Sequence, residues 1–353
     1  MAEARGLPWI WASRSGGAVA VRAALRPAEL AYRAIVGTRN TLYDRGVLRT
    51  HAPALPALSI GNLTVGGTGK TPVAAWAAGW LRDRGAHPAV VLRGYGDDEP
   101  LVHARLSPSA PVVVSPDRVR GIDEARRRGA DVAVLDDAFQ HRRVRRIADW
   151  VLISADRWDR RRHLLPAGPW REPIGALARG TVAIITRKAA SPRDAAAVAD
   201  GLRREGLVIP VAIVHLVLDS LERADGGESR PIGSLRGAHV VLLSAIGDPA
   251  ALASQLAAEG ASVRPRIFRD HHDFTDAELA HVATAAGGDM VVCTLKEAVR
   301  IGSRWPRGAP PLWYVSQRVS VEDGADVLAS SLDAVLRART ATLTVADPTR
   351  PSP

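Results

Sequence analysis

Residues 59–76 read SIGNLTVGGTGKTPVAAW and carry four glycines and a lysine in a short span. The chain has only three lysines, Lys70, Lys188 and Lys296, among its 47 Lys and Arg residues. Wherever a generic positive charge suffices it carries arginine, so Lys70 in a glycine-rich run calls for a specific reason. A phosphate-binding loop supplies one. Glycines let successive backbone N–H groups point inward at phosphate oxygens. A lysine reaches those oxygens as a mobile point charge, which the planar guanidinium reproduces poorly. A Ser or Thr after the lysine is placed to hold Mg²⁺. Gly66, Gly67 and Gly69 form the loop, and Lys70 and Thr71 open a helix whose dipole favours an anion. Thr64 stands where the strict pattern has its first glycine.

Working outward, ALSIGN (57–62) reads as a strand entering the loop, and a helix follows from Thr71 to Arg84. PAVVLRG, APVVVS, DVAVLDD, DWVLISA and GTVAIITR are near-continuous apolar runs separated by helical stretches. Such runs fit strands covered on both faces, and their alternation with helices fits an α/β doubly wound sheet of the P-loop NTPase kind. GLVIPVAIVHLVL adds one or two strands. The polar stretch DGGESRPIG (225–233) reads as a linker to a second, smaller α/β domain. The expected layout is an N-terminal amphipathic helical segment that is a candidate for membrane association (1–50), a P-loop domain (51–225), the smaller domain (226–340) and a disordered tail (341–353).

The bulk properties agree with this layout. A length of 353 residues fits two domains or one large one. The single cysteine, Cys293 in DMVVCTL, excludes an internal disulfide framework and reads as a small buried hydrophobe in a reducing cytosol. The first residues lack the apolar core of a signal peptide or a spanning helix. A net charge of +10 calls for an anionic partner: nucleic acid, an anionic membrane face or a phosphorylated ligand. Over residues 27–47, Tyr32, Ile35, Val36, Leu42 and Tyr43 fall on one helical face, with Arg33, Arg39 and Arg45 beside them. Two readings follow, a helix packed on the domain or a basic amphipathic helix resting on a membrane.

A P-loop also needs an acid at the end of a nearby strand, and Asp136 and Asp137 close DVAVLDD. GDDEP (96–100) reads as an exposed acidic turn. RDHHDFT (269–275) reads as a metal site, a base with an orienting partner, or a helix entry capped by Thr275 or Asp273.

Taken in order, GNLTVGGTGKTP, RGYG, DEP, DDAFQH, LLPAGPWREP and DHHDFT resemble the tetraacyldisaccharide 4′-kinases, which phosphorylate a lipid A precursor. The resemblance extends over residues 27–330 and includes the missing first glycine. The chain departs from the family pattern in the short run before Asp98, in Ala138 where glycine is usual, and in Leu295 where an acid is.

The resemblance implies an ATP- and Mg²⁺-dependent transfer to the 4′-hydroxyl of a lipid A disaccharide 1-phosphate. Thr64, Val65, Gly66, Gly67, Thr68, Gly69, Lys70 and Thr71 would cradle the nucleotide, with Lys70 also counted among the catalytic residues. Thr71, with Asp136 or Asp137 and Glu99, would hold the metal or its waters. Asp98 paired with His271 would accept the hydroxyl proton. HRRVRR and DRWDRRRH would receive acceptor phosphates or lipid headgroups. The implied location is peripheral, on the anionic cytoplasmic face of the inner membrane, with no nucleic acid and no obligate protein partner. The alternative is a P-loop ATPase switch of the partitioning or metallochaperone type, against which stand Thr64, Val65 and the two additional motifs.

Overall fold

A computed structural model of the protein describes residues 10–346 except 12, 95, 97, 160, 270 and 271, with the side chains of 343–346 left aside. The chain opens on helices α1 (Gly16–Ala24) and α2 (Arg26–Asp44). A first alternating run comprises β1 (Ala57–Asn62), α3 (Lys70–Arg82), β2 (Pro88–Leu92), α4 (Asp98–Leu106), β3 (Val112–Val114) and α5 (Arg118–Arg127). It continues through β4 (Val132–Asp136), β5 (Ala148–Ser154), β6 (Val182–Arg187) and α6 (Pro192–Arg204). Then come the long strand β7 (Val211–Arg223) and short β8 (Ser229–Pro231). The second run is β9 (His239–Ser244), α7 (Pro249–Ala258), β10 (Ser262–Ile267), α8 (Asp276–Ala286), β11 (Met290–Thr294) and α9 (Leu295–Ile301). Long β12 (Leu312–Asp323) and α10 (Ala325–Ala346) close the described chain.

All twelve strands belong to one sheet, in the order β10-β9-β11-β12-β7-β6-β5-β1-β4-β2-β3, with β8 on β7. Pairing is parallel except where β7 meets β12 and β8. β1, β2, β4, β5 and β6 are buried along their whole length, as their unbroken apolar runs require. One face packs under α3 through Val73, Ala77 and Leu81, and the other under α6 through Val198 and Leu202. β3 is a three-residue edge strand and β10 is an exposed edge, so neither APVVVS nor SVRPRIF is covered on both faces.

The two lobes share this sheet through β7 and β12. The first half of β7 pairs with β6 on one side, and β7 from Ile213 to Arg223 runs antiparallel to β12 on the other; the start of β12 pairs in turn with β11. β12 thereby carries the chain back to the P-loop lobe. The helix after it buries Leu328, Leu332 and Val335 in that lobe's core beside Val73 and Trp150, at about 2 kcal/mol each. Residues 325–340, expected in the smaller domain, therefore pack on the larger one. Positions 341–346 extend α10 instead of starting a disordered tail, and 347–353 lie outside the described residues.

α2 matches the expected helix, but its apolar stripe is divided. Val36 is buried, whereas Ile35 is 68% exposed and Leu30 59% exposed. The side turned to the body combines Val36 and the Tyr32 ring with polar groups. Glu29 accepts the Leu164 N–H at 2.9 Å, the Tyr32 hydroxyl donates to the Arg171 carbonyl at 3.1 Å, and Asn40 donates to Glu172 at 2.7 Å. No described helix is long and apolar enough to cross a membrane.

Candidate active site

The glycine loop leaves the C-terminal end of β1 and enters α3 at Lys70. Gly66 (φ +112°) and Gly69 (φ +86°) adopt backbone angles that L side chains rarely take. The Asn62 side chain donates to the Thr68 hydroxyl at 2.9 Å, and the Thr186 hydroxyl donates to the Thr68 carbonyl at 2.9 Å, so β1 and β6 both hold the loop. Thr64 forms a β-bridge with Trp170, and the Val65 N–H donates to the Pro169 carbonyl at 2.8 Å. This pairing explains the missing first glycine: the loop enters extended, against LLPAGPWREP, and needs no tight turn there.

Lys70 Nζ lies 3.6 Å from Asp137, the one non-glycine residue with positive φ (50°) among those described. Arg171 donates to both oxygens of Asp137, at 2.9 and 3.0 Å. Asp136 has a different environment. It is nearly buried, accepts the Thr71 hydroxyl at 3.3 Å and contacts His103 Nε2 at 2.8 Å, and its Oδ1 has no hydrogen-bond partner among the described residues. Burial raises its pKa, but the hydrogen bond and charge of His103, with Lys70, outweigh this and leave the carboxyl below its ordinary value. Arg118 Nη2 reaches the Asp136 carbonyl at 3.3 Å, and burial lowers the pKa of that guanidinium.

The described acids of GDDEP, Asp98 and Glu99, lie in a helix and not on an exposed turn. Asp98 is 4% exposed at the start of α4 because that helix packs on α9 of the second lobe, whose Lys296 Nζ lies 3.8 Å from Asp98 Oδ2. That oxygen is buried without a hydrogen-bond partner among the described residues. Burial, then the charge of Asp136, raises the pKa of Glu99, and Lys296 opposes the rise. His271 lies outside the described residues. Its neighbour His272 contacts Glu278 at 3.1 Å and stacks on Phe268, while Thr275 and Glu278 close a capping box, in line with the helix-entry reading. Cys293 is fully buried, as read.

Sequence reading missed His103, which is fully buried. Its spacing of four residues from Glu99 in α4 was the available signal. Reading also missed the other two lysines. Lys188 Nζ donates to the Gly67 carbonyl at 3.3 Å, Lys296 faces Asp98, and all three lysines therefore border one site.

No group of three His, Cys, Asp or Glu side chains arranged for a metal is present among the described residues. The donors still fit Mg²⁺, which keeps several waters and takes one or two protein ligands beside substrate phosphates. Thr71 and the unpartnered oxygen of Asp136 are such donors, whereas Asp137 is engaged by Lys70 and Arg171.

A family model described as tetraacyldisaccharide-1-P 4′-kinase matches residues 21–337. The tetraacyldisaccharide 4′-kinase of Anaeromyxobacter sp. (strain K) is 40% identical over 93% of this chain and 94% of its own length. That of Halorhodospira halophila is 35% identical over 87% and 91%. Among solved structures, the apo form of LpxK from Aquifex aeolicus in complex with ATP superposes with a TM-score of 0.70 at 26% identity. The match covers 90% of this chain and 99% of that one.

Proposed function

The chain belongs to the tetraacyldisaccharide 4′-kinase family, and from that premise we propose which of its residues carry out the transfer and where. It is an ATP-dependent kinase acting on a tetraacyldisaccharide 1-phosphate of lipid A biosynthesis. The observation that carries the site reading is the meeting of three segments distant in sequence: Lys70 and Thr71 of the loop, Asp136 and Asp137 ending β4, and α4, which opens on Asp98 and reaches Asp136 through His103.

In this reading the loop amides and Lys70 hold the β- and γ-phosphates. Asp98 accepts the proton of the 4′-hydroxyl as its oxygen bonds to the γ-phosphorus, while the bond from that phosphorus to the bridging oxygen breaks and ADP leaves. Lys296 faces the Asp98 carboxylate and aims it. His271, carried over from the resemblance, would pair with the same carboxylate. Asp137 balances Lys70 and Arg171, which fixes both cations beside the loop. Mg²⁺, held by Thr71 and Asp136 with Glu99 nearby, would neutralise charge on the phosphates. Most of the acceleration then comes from positioning and from fixed charges in a site shielded from water.

The exposed Leu30 and Ile35 of α2 support a peripheral seat on an anionic membrane surface. We place that seat on the cytoplasmic face of the inner membrane, where ATP is supplied.

The deciding experiment incubates the full chain with γ-labelled ATP, Mg²⁺ and a lipid A disaccharide 1-phosphate in detergent. Label is expected on the lipid and lost in Lys70→Arg, because the guanidinium cannot take the ammonium's place. A fully active Lys70→Arg refutes the loop reading. ATP turnover that responds to DNA and not to lipid would favour the ATPase switch.

A further inference from the structure

We propose that Arg157 supplies the arginine that neutralises the transferring phosphoryl group, and that the second lobe aims it; the inference rests on the loop's holding the triphosphate. Arg157 ends a short 3₁₀ turn, Ala155–Arg157, that follows β5 at the same C-terminal end of the parallel strands as the glycine loop that follows β1. Two of its three nitrogen positions are taken by the second lobe. Nε donates to Asp248 Oδ2 at 3.2 Å, and Nη2 donates to the Gly247 carbonyl. Both partners lie at the entry of α7, where Asp248 is the N-cap.

The third nitrogen, Nη1, abuts Gly66, so closely that a Cβ at that position would run into it. Nη1 makes no hydrogen bond among the described residues. The guanidinium is therefore clamped on its far side while two N–H donors face the loop. Other cations near the loop are differently engaged. Lys188 gives its ammonium to the Gly67 carbonyl, and Lys70 and Arg171 share Asp137.

This arrangement suits charge that develops during transfer. In the loose transition state the leaving oxygen gains negative charge while that of the transferring group is spread over its equatorial oxygens, and a planar fork already oriented by fixed partners stabilises this distribution without reorganising. Gly66 then has a second role besides its backbone angle, since its missing side chain leaves room for the guanidinium. The clamp also couples chemistry to lobe geometry: Asp248 belongs to the second lobe, so the fork is set only when that lobe is docked.

The test uses the full chain in detergent, with Arg157→Met, Arg157→Lys and Asp248→Asn. For each, kcat for lipid phosphorylation, the ATP dissociation constant by calorimetry and the melting temperature are measured. Arg157→Met should lose about 10³-fold or more in kcat while ATP affinity stays within about threefold. Arg157→Lys should still lose about tenfold or more, because one ammonium cannot meet Asp248, Gly247 and the loop together. Asp248→Asn keeps the fork but loosens it and should lose about tenfold in kcat with ATP affinity unchanged. A kcat for Arg157→Met within about threefold of wild type, or a loss matched by equally weakened ATP binding, overturns the proposal. If Arg157→Met does not fold, a fully active Arg157→Lys overturns it. An active wild type beside an unaffected Arg157 variant refutes this inference alone; a wild type that neither binds ATP nor labels lipid refutes the site reading beneath it.

Discussion

Replacing His103 by leucine removes the nearest donor to Asp136 and leaves the volume of the side chain nearly unchanged. His103 is fully buried and its Nε2 lies 2.8 Å from Asp136 Oδ2, whereas the other side-chain donor to that carboxylate, Thr71, is at 3.3 Å. A hydrogen bond to a charged group contributes about 1.5–3 kcal/mol, and here its loss leaves a buried carboxylate under-satisfied. For a chain of this size that corresponds to a fall in Tm of about 2–4 °C. The functional effect should exceed the effect on stability. His103 lies on α4 with Asp98 and Glu99, so its contact with Asp136 ties the helix bearing the proposed base to the strand bearing the proposed metal ligand. Loss of such an orienting partner typically costs about 10–100-fold in metal affinity or activity. The assay is ATP binding by calorimetry with Mg²⁺ and again with chelator, beside kcat. His103→Leu should weaken binding in Mg²⁺ by about tenfold or more and leave binding in chelator unchanged. His103→Gln, whose amide N–H can take the place of Nε2–H, should recover most of both losses. A leucine variant that binds Mg²⁺–ATP and turns over like wild type would refute the reasoning.

Three further expectations come from the same geometry. Lys296→Met should lower kcat about tenfold with ATP affinity unchanged, and Lys296→Arg should restore most of it; equal kcat in all three proteins would remove Lys296 from the reaction. Leu30→Ser with Ile35→Ser, at positions 59% and 68% exposed, should leave Tm essentially unchanged. The same pair should weaken binding to anionic vesicles by about tenfold or more; undiminished vesicle binding would mean that α2 does not seat on the bilayer. His141 is held at a pKa of about 4, by burial first and then by Arg118. Its unfolded form takes up a proton from about pH 6.5 downward, while the folded form does so only near 4, so stability is lost as pH falls through that window. Wild type should therefore lose more Tm than His141→Gln between pH 7.5 and pH 4.5, and a pH-independent difference between the two would contradict the assignment.

Local sequence carried the loop, because glycine backbone angles, a lysine and a helix start are properties of adjacent residues. Lys70, Thr71 and the acids ending DVAVLDD were legible for that reason, and so was the alternation of buried strands and helices. The ordered motifs also carried the family, although the roles they imply for single residues are tested by experiment and not by order.

What tertiary structure decided depends on long-range pairing. Period-2 and period-3.6 patterns report that a face is covered but not by what. Nothing local says that β12 returns antiparallel to β7, or that Leu328, Leu332 and Val335 fill the core under α3 and not that of the second lobe. The divided packing of α2 has the same origin. Glu29 and Asn40 look like a solvated face until Leu164 and Glu172, more than 130 residues away, supply their partners. Asp98 looked like part of an exposed turn because the charge that faces it, Lys296, arrives from the other lobe. His103 on Asp136 and Arg157 on Asp248 likewise join groups whose pairing is set by the strand order of the sheet. A sequence fixes which groups are available; a folded sheet fixes the distances between them, and electrostatics and hydrogen bonds depend on distance.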